Sequence, residues 1–238
     1  MTYVAGFVVA VPEAKRQAYV TMAEAGVSLF REYGVQRQVE AWDDDVQEGK
    51  VTDFRRAVKA TPEEKIVFSW HEYLSKTAAD EANRKIMSDP RMAEIGKDMP
   101  FDGQRMIWGG FEGTLEKGQR GKSRYIDGSL VPTPGGSRAA YAAYAEGVAD
   151  ILMEHGAARV VDAWSDNVPD GKVTDFRRSV NAEPGEAIVF SWVEWPSKAV
   201  RDAAWQKIFA DPRMRRDNAP QDESRRVWGG FVPIMDTQ

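Results

Sequence analysis

The chain of 238 residues contains no cysteine and only two histidines, His71 and His155. Without a thiol, the chain cannot form a disulfide, a thiolate zinc site, an iron–sulfur cluster or a cysteine nucleophile. The histidines do not occupy equivalent positions in the repeat described below, which excludes a symmetric histidine metal site. We therefore predict no metal and no cofactor, with haem held by a single histidine as the less favoured alternative.

The sequence also lacks an excess of positive charge and any long hydrophobic run. It has 32 Lys and Arg against 37 Asp and Glu, a net charge of −5, and no concentrated basic face to bind a phosphate backbone. No apolar run approaches the roughly 18 residues that a membrane helix needs. The apolar run at residues 4–11 recurs at 126–131, so it indicates a strand and not a signal peptide. We expect a soluble, cytoplasmic protein that binds neither nucleic acid nor membranes.

What the sequence does contain is an internal repeat with a shift of 122 residues. Gly-Lys-Val-Thr-Asp-Phe-Arg-Arg begins at Gly49 and again at Gly171, and Ile-Val-Phe-Ser-Trp begins at Ile66 and at Ile188. A period of this length is too long for a solenoid and indicates a duplicated domain. We predict a first unit at residues 1–115, a Gly- and Lys-rich linker at 116–124 and a second unit at 125–238.

The hydrophobic periodicity of each copy predicts four main strands and two helices. In the first copy the strands are expected at 4–11, 35–42, 65–73 and 104–111, with a further extended stretch at 51–59. One helix should end at Gly34, and another should run from its N-cap Ser75 to Asp89. This β-α-β-β-α-β order is typical of a ferredoxin-like unit, so the fold class is α+β. Two such units could cover each other's bare sheet faces and form a pseudo-dimer.

Several motifs resemble those of the bacterial YbaA-like proteins, a family without an assigned function. They include Gly-Phe-Val-Val-Ala-Val-Pro from Gly6, Trp-Asp-Asp-Asp-Val from Trp42, Asp-Pro-Arg-Met from Asp89 and Arg-Met-Ile-Trp-Gly-Gly-Phe from Arg105. The resemblance implies a dimeric α+β barrel, here formed within one fused chain. That superfamily includes cofactor-independent monooxygenases, isomerases, haem-handling enzymes and ligand-binding or stress proteins, so it implies fold more strongly than chemistry.

Carboxylates placed next to tryptophans are the first candidates for chemistry. Alternation along a strand puts Glu72 on the face of Trp70, and Glu194 on the face of Trp192. Burial against an indole should raise the pKa of each acid, which suits a general base. The alternative is a structural salt bridge with a nearby arginine. The same spacing relates Glu40 to Trp42 and Asp162 to Trp164.

A second charged motif is Asp53-Phe-Arg55-Arg56, which is repeated at Asp175-Phe-Arg177-Arg178. If this stretch is extended, Asp53 and Arg55 share one face, where an arginine could bind an anionic substrate. The alternative is an Asp–Arg clamp that fastens the loop. Arg105 and its counterpart Arg225, before the last strand, are further candidates for binding substrate.

We predict a small-molecule-binding protein with an aromatic pocket in each half. Its function would be that of a cofactor-independent monooxygenase or isomerase acting on a small planar substrate, or alternatively of a non-catalytic ligand-binding or stress-response protein. The equivalence of the two pockets is open, because Ala5 and Phe7 correspond to Asp127 and Ser129. Further self-association also remains open. The predicted catalytic residues are Glu72, Glu194, Asp53 and Asp175, and the predicted substrate-binding residues are Trp42, Trp70, Arg55, Arg105, Trp164, Trp192, Arg177 and Arg225.

Overall fold

The computed structural model describes residues 2–121, 123–214 and 219–237. The first copy of the repeat contains β1 (Tyr3–Pro12), α1 (Arg16–Glu32), β2 (Arg37–Asp45), α2 (Phe54–Ala57), β3 (Glu64–Tyr73), α3 (Lys76–Ser88), α4 (Pro90–Ile95) and β4 (Ile107–Gly118). The second copy contains β5 (Tyr125–Pro134), α5 (Arg138–Glu154), β6 (Arg159–Asn167), α6 (Phe176–Ser179), β7 (Glu186–Trp195), α7 (Lys198–Ile208) and β8 (Val227–Thr237).

The helix ends follow the predicted signals. Gly34 and Gly156 adopt φ of +100° and +99° directly after α1 and α5, a conformation in which glycine carries no steric penalty. Ser75 and Ser197 accept hydrogen bonds from the backbone N–H of Ala78 and Val200, which caps α3 and α7. These local signals mark the ends of α1 and α5 and the starts of α3 and α7.

The eight strands form one closed barrel in the order β1-β3-β2-β8-β5-β7-β6-β4. Each half contributes four antiparallel strands in the same relative order, β4-β1-β3-β2 and β8-β5-β7-β6. Backbone ladders between β2 and β8 and between β4 and β6 join the halves. The expectation that two separate sheets cover each other face to face is therefore wrong. The halves meet edge to edge, which leaves no unpaired sheet edge between them.

Aromatic rings from both halves fill the barrel interior. Phe68 stacks on Phe190 with ring centroids 4.5 Å apart, and Trp70 lies 4.5 Å from Trp192. A Cβ atom on Gly128 would come within 2.9 Å of the Phe68 ring, so this strand needs glycine for the ring to pack against its backbone. The long helices α1, α3, α5 and α7 cover the outside of the barrel, whereas the short helices α2 and α6 contribute Phe54 and Phe176 to its interior.

Three local predictions differ from the structure. Residues 54–57 form a short helix, not an extended stretch, because the Asp53 side chain accepts a hydrogen bond from the Arg56 N–H and caps a helical turn. The last strand continues to Gly118 by pairing with β6, so the predicted linker at 116–124 starts inside β4. In the second copy, α7 ends at Ile208, before the Asp211-Pro212 pair. No helix in the described part of the chain is long and apolar enough to cross a membrane.

Candidate functional site

The predicted bases Glu72 and Glu194 lie at one end of the barrel, inside a buried cluster of charges that joins the two halves. Glu72 is fully buried and accepts hydrogen bonds from Arg159 at 2.7 and 3.0 Å. Glu194 accepts hydrogen bonds from Arg37 at 2.8 and 3.1 Å. The indole N–H groups of Trp70 and Trp192 also donate to these acids, as their shared strand faces predict. Each acid is therefore paired with an arginine from the opposite half.

This pairing shifts the pKa of Glu72 in the direction opposite to the predicted one. Burial by itself would raise the pKa of Glu72, but the hydrogen bonds and positive charge of Arg159 outweigh burial and lower that pKa. A carboxylate held ionised by two buried guanidinium hydrogen bonds is a poor proton acceptor. The assignment of Glu72 and Glu194 as catalytic residues stays a prediction, but their contacts are those of a structural ion cluster.

Asp53 and Asp175 occupy the N-cap positions of the short helices α2 and α6. Each accepts a hydrogen bond from a backbone N–H at 2.8 Å at the start of its short helix, from Arg56 and Arg178 respectively. A second carboxylate oxygen of each accepts from the N–H of Gly49 or Gly171 at 3.2 Å. Each aspartate thus holds the preceding loop in place, which agrees with the alternative interpretation of the motif as an Asp–Arg clamp.

The predicted substrate-binding arginines have internal partners. Arg55 donates to the carbonyl of Glu64 and Arg177 to that of Glu186. Arg105 forms a two-point ion pair with the Glu64 carboxylate at 2.7 and 2.8 Å, and Arg225 pairs with Glu186 at 2.7 and 2.9 Å. These contacts tie the last connection of each half to the third strand. Their predicted role in binding substrate is untested.

A different pair of acids lies between the barrel and its long helices. Glu40 shares the outer face of β2 with Trp42, and Asp162 shares that of β6 with Trp164, as alternation predicts. The hydroxyl of Tyr19, on α1, donates to Glu40 at 2.7 Å, and that of Tyr141, on α5, donates to Asp162 at 3.0 Å. Burial raises the pKa of both acids. Each half therefore keeps a buried tyrosine–carboxyl pair beneath its first helix.

A cavity lies beside the acid of the Asp162 pair. Its volume is about 330 Å³, and it lies between the outer face of the second half's strands and helices α5 and α7. The wall is mostly apolar, with Ala145, Val148 and Leu152 from α5 and Trp205 from α7. Trp228, whose surface is 43% exposed, also lines it. A volume of this size is at the lower end of typical small-molecule sites, roughly 300–1,000 Å³.

Asp127 forms a fixed polar group in this cavity wall. It pairs with Arg201 at 2.7 Å and accepts hydrogen bonds from the indole N–H groups of Trp195 and Trp205 at 2.8 and 2.7 Å. Burial raises the pKa of Asp127, although Arg201 and the indole donors oppose the effect. Because its partners surround it, Asp127 holds Trp205 in the wall of the cavity rather than offering a free acid.

Asp162 has a different environment from Asp127. The neutral hydroxyls of Ser191 and Tyr141 lower the pKa of Asp162, and Arg226 acts only through space, as a nearby positive charge that also lowers it. Arg226 itself pairs with Glu223 at 2.7 Å and donates to the Ser129 hydroxyl at 2.9 Å. Ser191 also lines the cavity. The cavity therefore includes one carboxyl, Asp162, whose hydrogen-bond partners are neutral, among charges that pair with one another.

Some residues of this site can be predicted from the sequence alone. The Asp162–Trp164 spacing and the departures at Asp127 and Ser129 are visible without a structure, but Arg201, Trp205 and Arg226 become neighbours only through the fold. His71 belongs to the first half, where burial lowers its pKa to about 4. His155 follows the last residue of α5 and is not one of the residues that line the cavity. Within residues 2–121, 123–214 and 219–237, no three histidine or acidic side chains converge as a metal site.

The fold is similar to that of several solved proteins. A Fusobacterium nucleatum protein provisionally described as a monooxygenase has a TM-score of 0.61 at 9% identity, covering 100% of this chain and 94% of its own. A protein of the same description from Lactobacillus acidophilus also has a TM-score of 0.61, at 8% identity, with 100% and 96% covered. An anthrone oxidase-like protein has a TM-score of 0.54 at 13% identity, with 99% and 92% covered. At these identities the likeness shows the fold alone, which is an α+β barrel.

Sequence comparison identifies the family to which the chain belongs. A family of proteins of unknown function, DUF1428, matches residues 2–103 and again residues 124–223, and the chain belongs to this family. The uncharacterized protein YbaA of Escherichia coli strain K12 is 59% identical over 117 residues, which is 49% of this chain and 100% of that protein. The predicted resemblance and the tandem duplication are confirmed.

Proposed function

We propose that the second half binds a small, planar, largely apolar molecule in its cavity, and that Asp162 accepts a proton from it. The observation that carries this proposal is the 330 Å³ cavity that includes a buried carboxyl of raised pKa. We also interpret each four-stranded half, with its helices on one face, as a ferredoxin-like unit, which makes the chain an intramolecular version of a dimeric barrel.

The environment of Asp162 supports a role in proton transfer. A general base works best when its pKa approaches the operating pH, and burial moves the pKa of Asp162 in that direction. The phenol of Tyr141 holds the carboxyl in one orientation. Asp162 thus combines a raised basicity with a fixed position at the wall of a cavity.

The rest of the wall supports the ligand class. Aromatic side chains at the cavity, Trp205 and Trp228 among them, offer flat apolar surfaces. The cavity's other charges are compensated, Asp127 by Arg201 and Arg226 by Glu223. An added ionic group on the ligand would find no uncompensated partner, so a neutral planar ligand fits best.

Loss of a C–H proton from such a ligand would permit two reactions without a bound cofactor. The carbanion can be oxidised by molecular oxygen, or it can be protonated at another carbon, which is an isomerisation. Anthrone is a suitable probe for the first reaction, because anthrone and O₂ give anthraquinone and water in a balanced four-electron oxidation of the methylene carbon. The anthrone oxidase-like protein of similar fold supports the choice of probe and no more.

The test compares Asp162→Asn with Glu40→Gln, the equivalent change in the first half. Anthrone oxidation would be followed by oxygen uptake and by the absorbance of anthraquinone, with the uncatalysed rate subtracted. We expect wild type and Glu40→Gln to oxidise anthrone, and Asp162→Asn to lose at least about 100-fold in rate, the usual contribution of a general base.

Other outcomes would change the conclusion. Equal losses in both variants would contradict the assignment to Asp162. Saturable binding of anthrone to wild type without oxidation, and without deuterium exchange at its methylene carbon in D₂O, would leave a non-catalytic ligand-binding protein. Glu72→Gln gives a further comparison, because loss of turnover without loss of stability would restore the predicted catalytic role of Glu72.

A further inference from the structure

We infer that the duplicated chain has one ligand site, in the second half, because aromatic side chains occupy the equivalent space of the first half. The inference rests on the proposed function and adds which half performs it. It depends on a comparison of residues that occupy the same register in two copies of one fold.

The strand ladders establish that equivalence. Phe7 pairs with Ser69 on one side and Trp108 on the other, and Ser129 pairs with Ser191 and Trp228 in the same way. The strand positions of the cavity wall can therefore be compared one by one between the halves. Trp108 and Trp228 are even exposed to the same degree, 42% and 43%.

At three of these positions the first half has rings where the second half has smaller side chains. Phe7 and Phe30 lie 5.2 and 4.9 Å from the His71 ring, measured between ring centroids. Since Phe30 is on α1 and the other two are on β1 and β3, this group bridges the helix and the sheet. The second half has Ser129, Leu152 and Val193 instead, and all three line the cavity.

The acid is also packed differently in the two halves. In the first half, Gln38 donates to Glu40 at 3.0 Å, in addition to the hydrogen bond from Tyr19. The position of Gln38 is taken by Val160 in the second half, which supplies no donor. Glu40 is one methylene longer than Asp162 as well. The first acid is thus more fully satisfied, and the second is the one that borders open volume.

Other differences give the second half the cavity-wall rings of Tyr144, Trp205 and Phe209 in place of Met22, Asn83 and Met87. A third set of differences adds polar groups to the second half. Ala5, Ala79 and Met106 of the first half are replaced by Asp127, Arg201 and Arg226. These are the residues that hold Trp205 and Ser129 in place around the cavity. The second half therefore lacks the Phe7–Phe30–His71 group and has instead a polar and aromatic cavity wall, which points to a single specialised site.

The primary experiment is a crystal of the full chain soaked with 6-bromo-2-naphthol, a neutral planar probe whose bromine is located by anomalous scattering. We expect one peak, between α5 and the strands of the second half. Peaks of equal height in both halves would overturn the inference and leave the proposed function standing. A peak in the first half alone would also overturn it. No peak in either half would refute the proposed ligand class, and the inference with it.

Matched variants test the same point in solution. Ser129→Phe places the first half's ring into the second half and should weaken naphthol binding at least about tenfold, whereas Phe7→Ser should leave the affinity unchanged. Leu152→Phe provides a second filling variant if Ser129→Phe does not fold. A one-to-one stoichiometry for wild type by calorimetry supports the inference, and two equal sites per chain contradict it.

Discussion

The buried ion cluster at the end of the barrel gives the sharpest prediction about stability. Arg159 is fully buried and donates to Glu72 and Glu194 of the cluster and to the less buried Glu116. Its guanidinium also lies 5.6 Å from the centre of the Trp192 ring. Arg159→Met keeps most of the side chain's length but removes the charge and every one of these hydrogen bonds.

The expected cost follows from what the substitution leaves behind. Glu72 and Glu194 would remain in the interior with Arg37 as their fully buried cation, and Glu72 would keep only the partly exposed Arg120 besides it, so the buried negative charges would be under-compensated. Removing one partner of a buried ion pair typically costs about 3–5 kcal/mol. For a chain of this length, roughly 2–4 °C of melting temperature corresponds to about 1 kcal/mol, so a fall of roughly 6–20 °C is expected.

Urea denaturation followed by tryptophan fluorescence would measure the free energy of unfolding. The control is Arg213→Met, because Arg213 forms ion pairs of similar length with Glu154 and Asp211 but has a side chain that is 53% exposed. We expect the control to unfold close to wild type. If Arg159→Met also unfolds close to wild type, the cluster does not hold the halves together. The double variant Arg159→Met with Glu72→Gln should recover part of the loss, since it removes one of the under-compensated negative charges.

Two further predictions concern the cavity acid and the barrel interior. Because burial raises the pKa of Asp162 above its ordinary 3.8, its contribution to stability is complete below that value and is lost as the pH rises through the folded-state pKa. Asp162→Asn should therefore melt above wild type at pH 7 and no higher at pH 3, and an equal difference at both pH values would contradict the raised pKa. Gly128→Ala, whose new Cβ would meet the Phe68 ring at 2.9 Å, should cost about 1–3 kcal/mol. Gly147→Ala, in open space on α5, should instead stabilise the chain by up to about 1 kcal/mol, and a similar sign for both would refute the packing argument.

The elements set by local chemistry were predictable from the sequence. Caps such as Ser75 and Gly34, and the alternation that places Glu40 beside Trp42, act over a few residues. The exception is the stretch after Asp53. The Asp53 side chain caps a helical turn there, and the alternation of side chains along a strand does not predict that turn.

The features that depend on distant partners were not predictable in the same way. Nothing near Glu72 in the sequence indicates that Arg159 will neutralise it, so burial was expected to raise a pKa that the ion pair lowers. Closure of the barrel depends on β2 meeting β8 and on β4 extending to meet β6, and these pairings join residues far apart in the chain. The cavity likewise results from the loss of rings at three separate elements.

The two ladders that join the halves also change how the protein can vary. In a barrel built from two identical chains, every substitution is present twice, so a residue that improves one pocket must be tolerated in the other. Here the same barrel comes from one continuous chain, and the codon for residue 129 is independent of the codon for residue 7. Mutant libraries restricted to 127–129 could therefore alter one pocket while the other half stays constant as scaffold and internal reference.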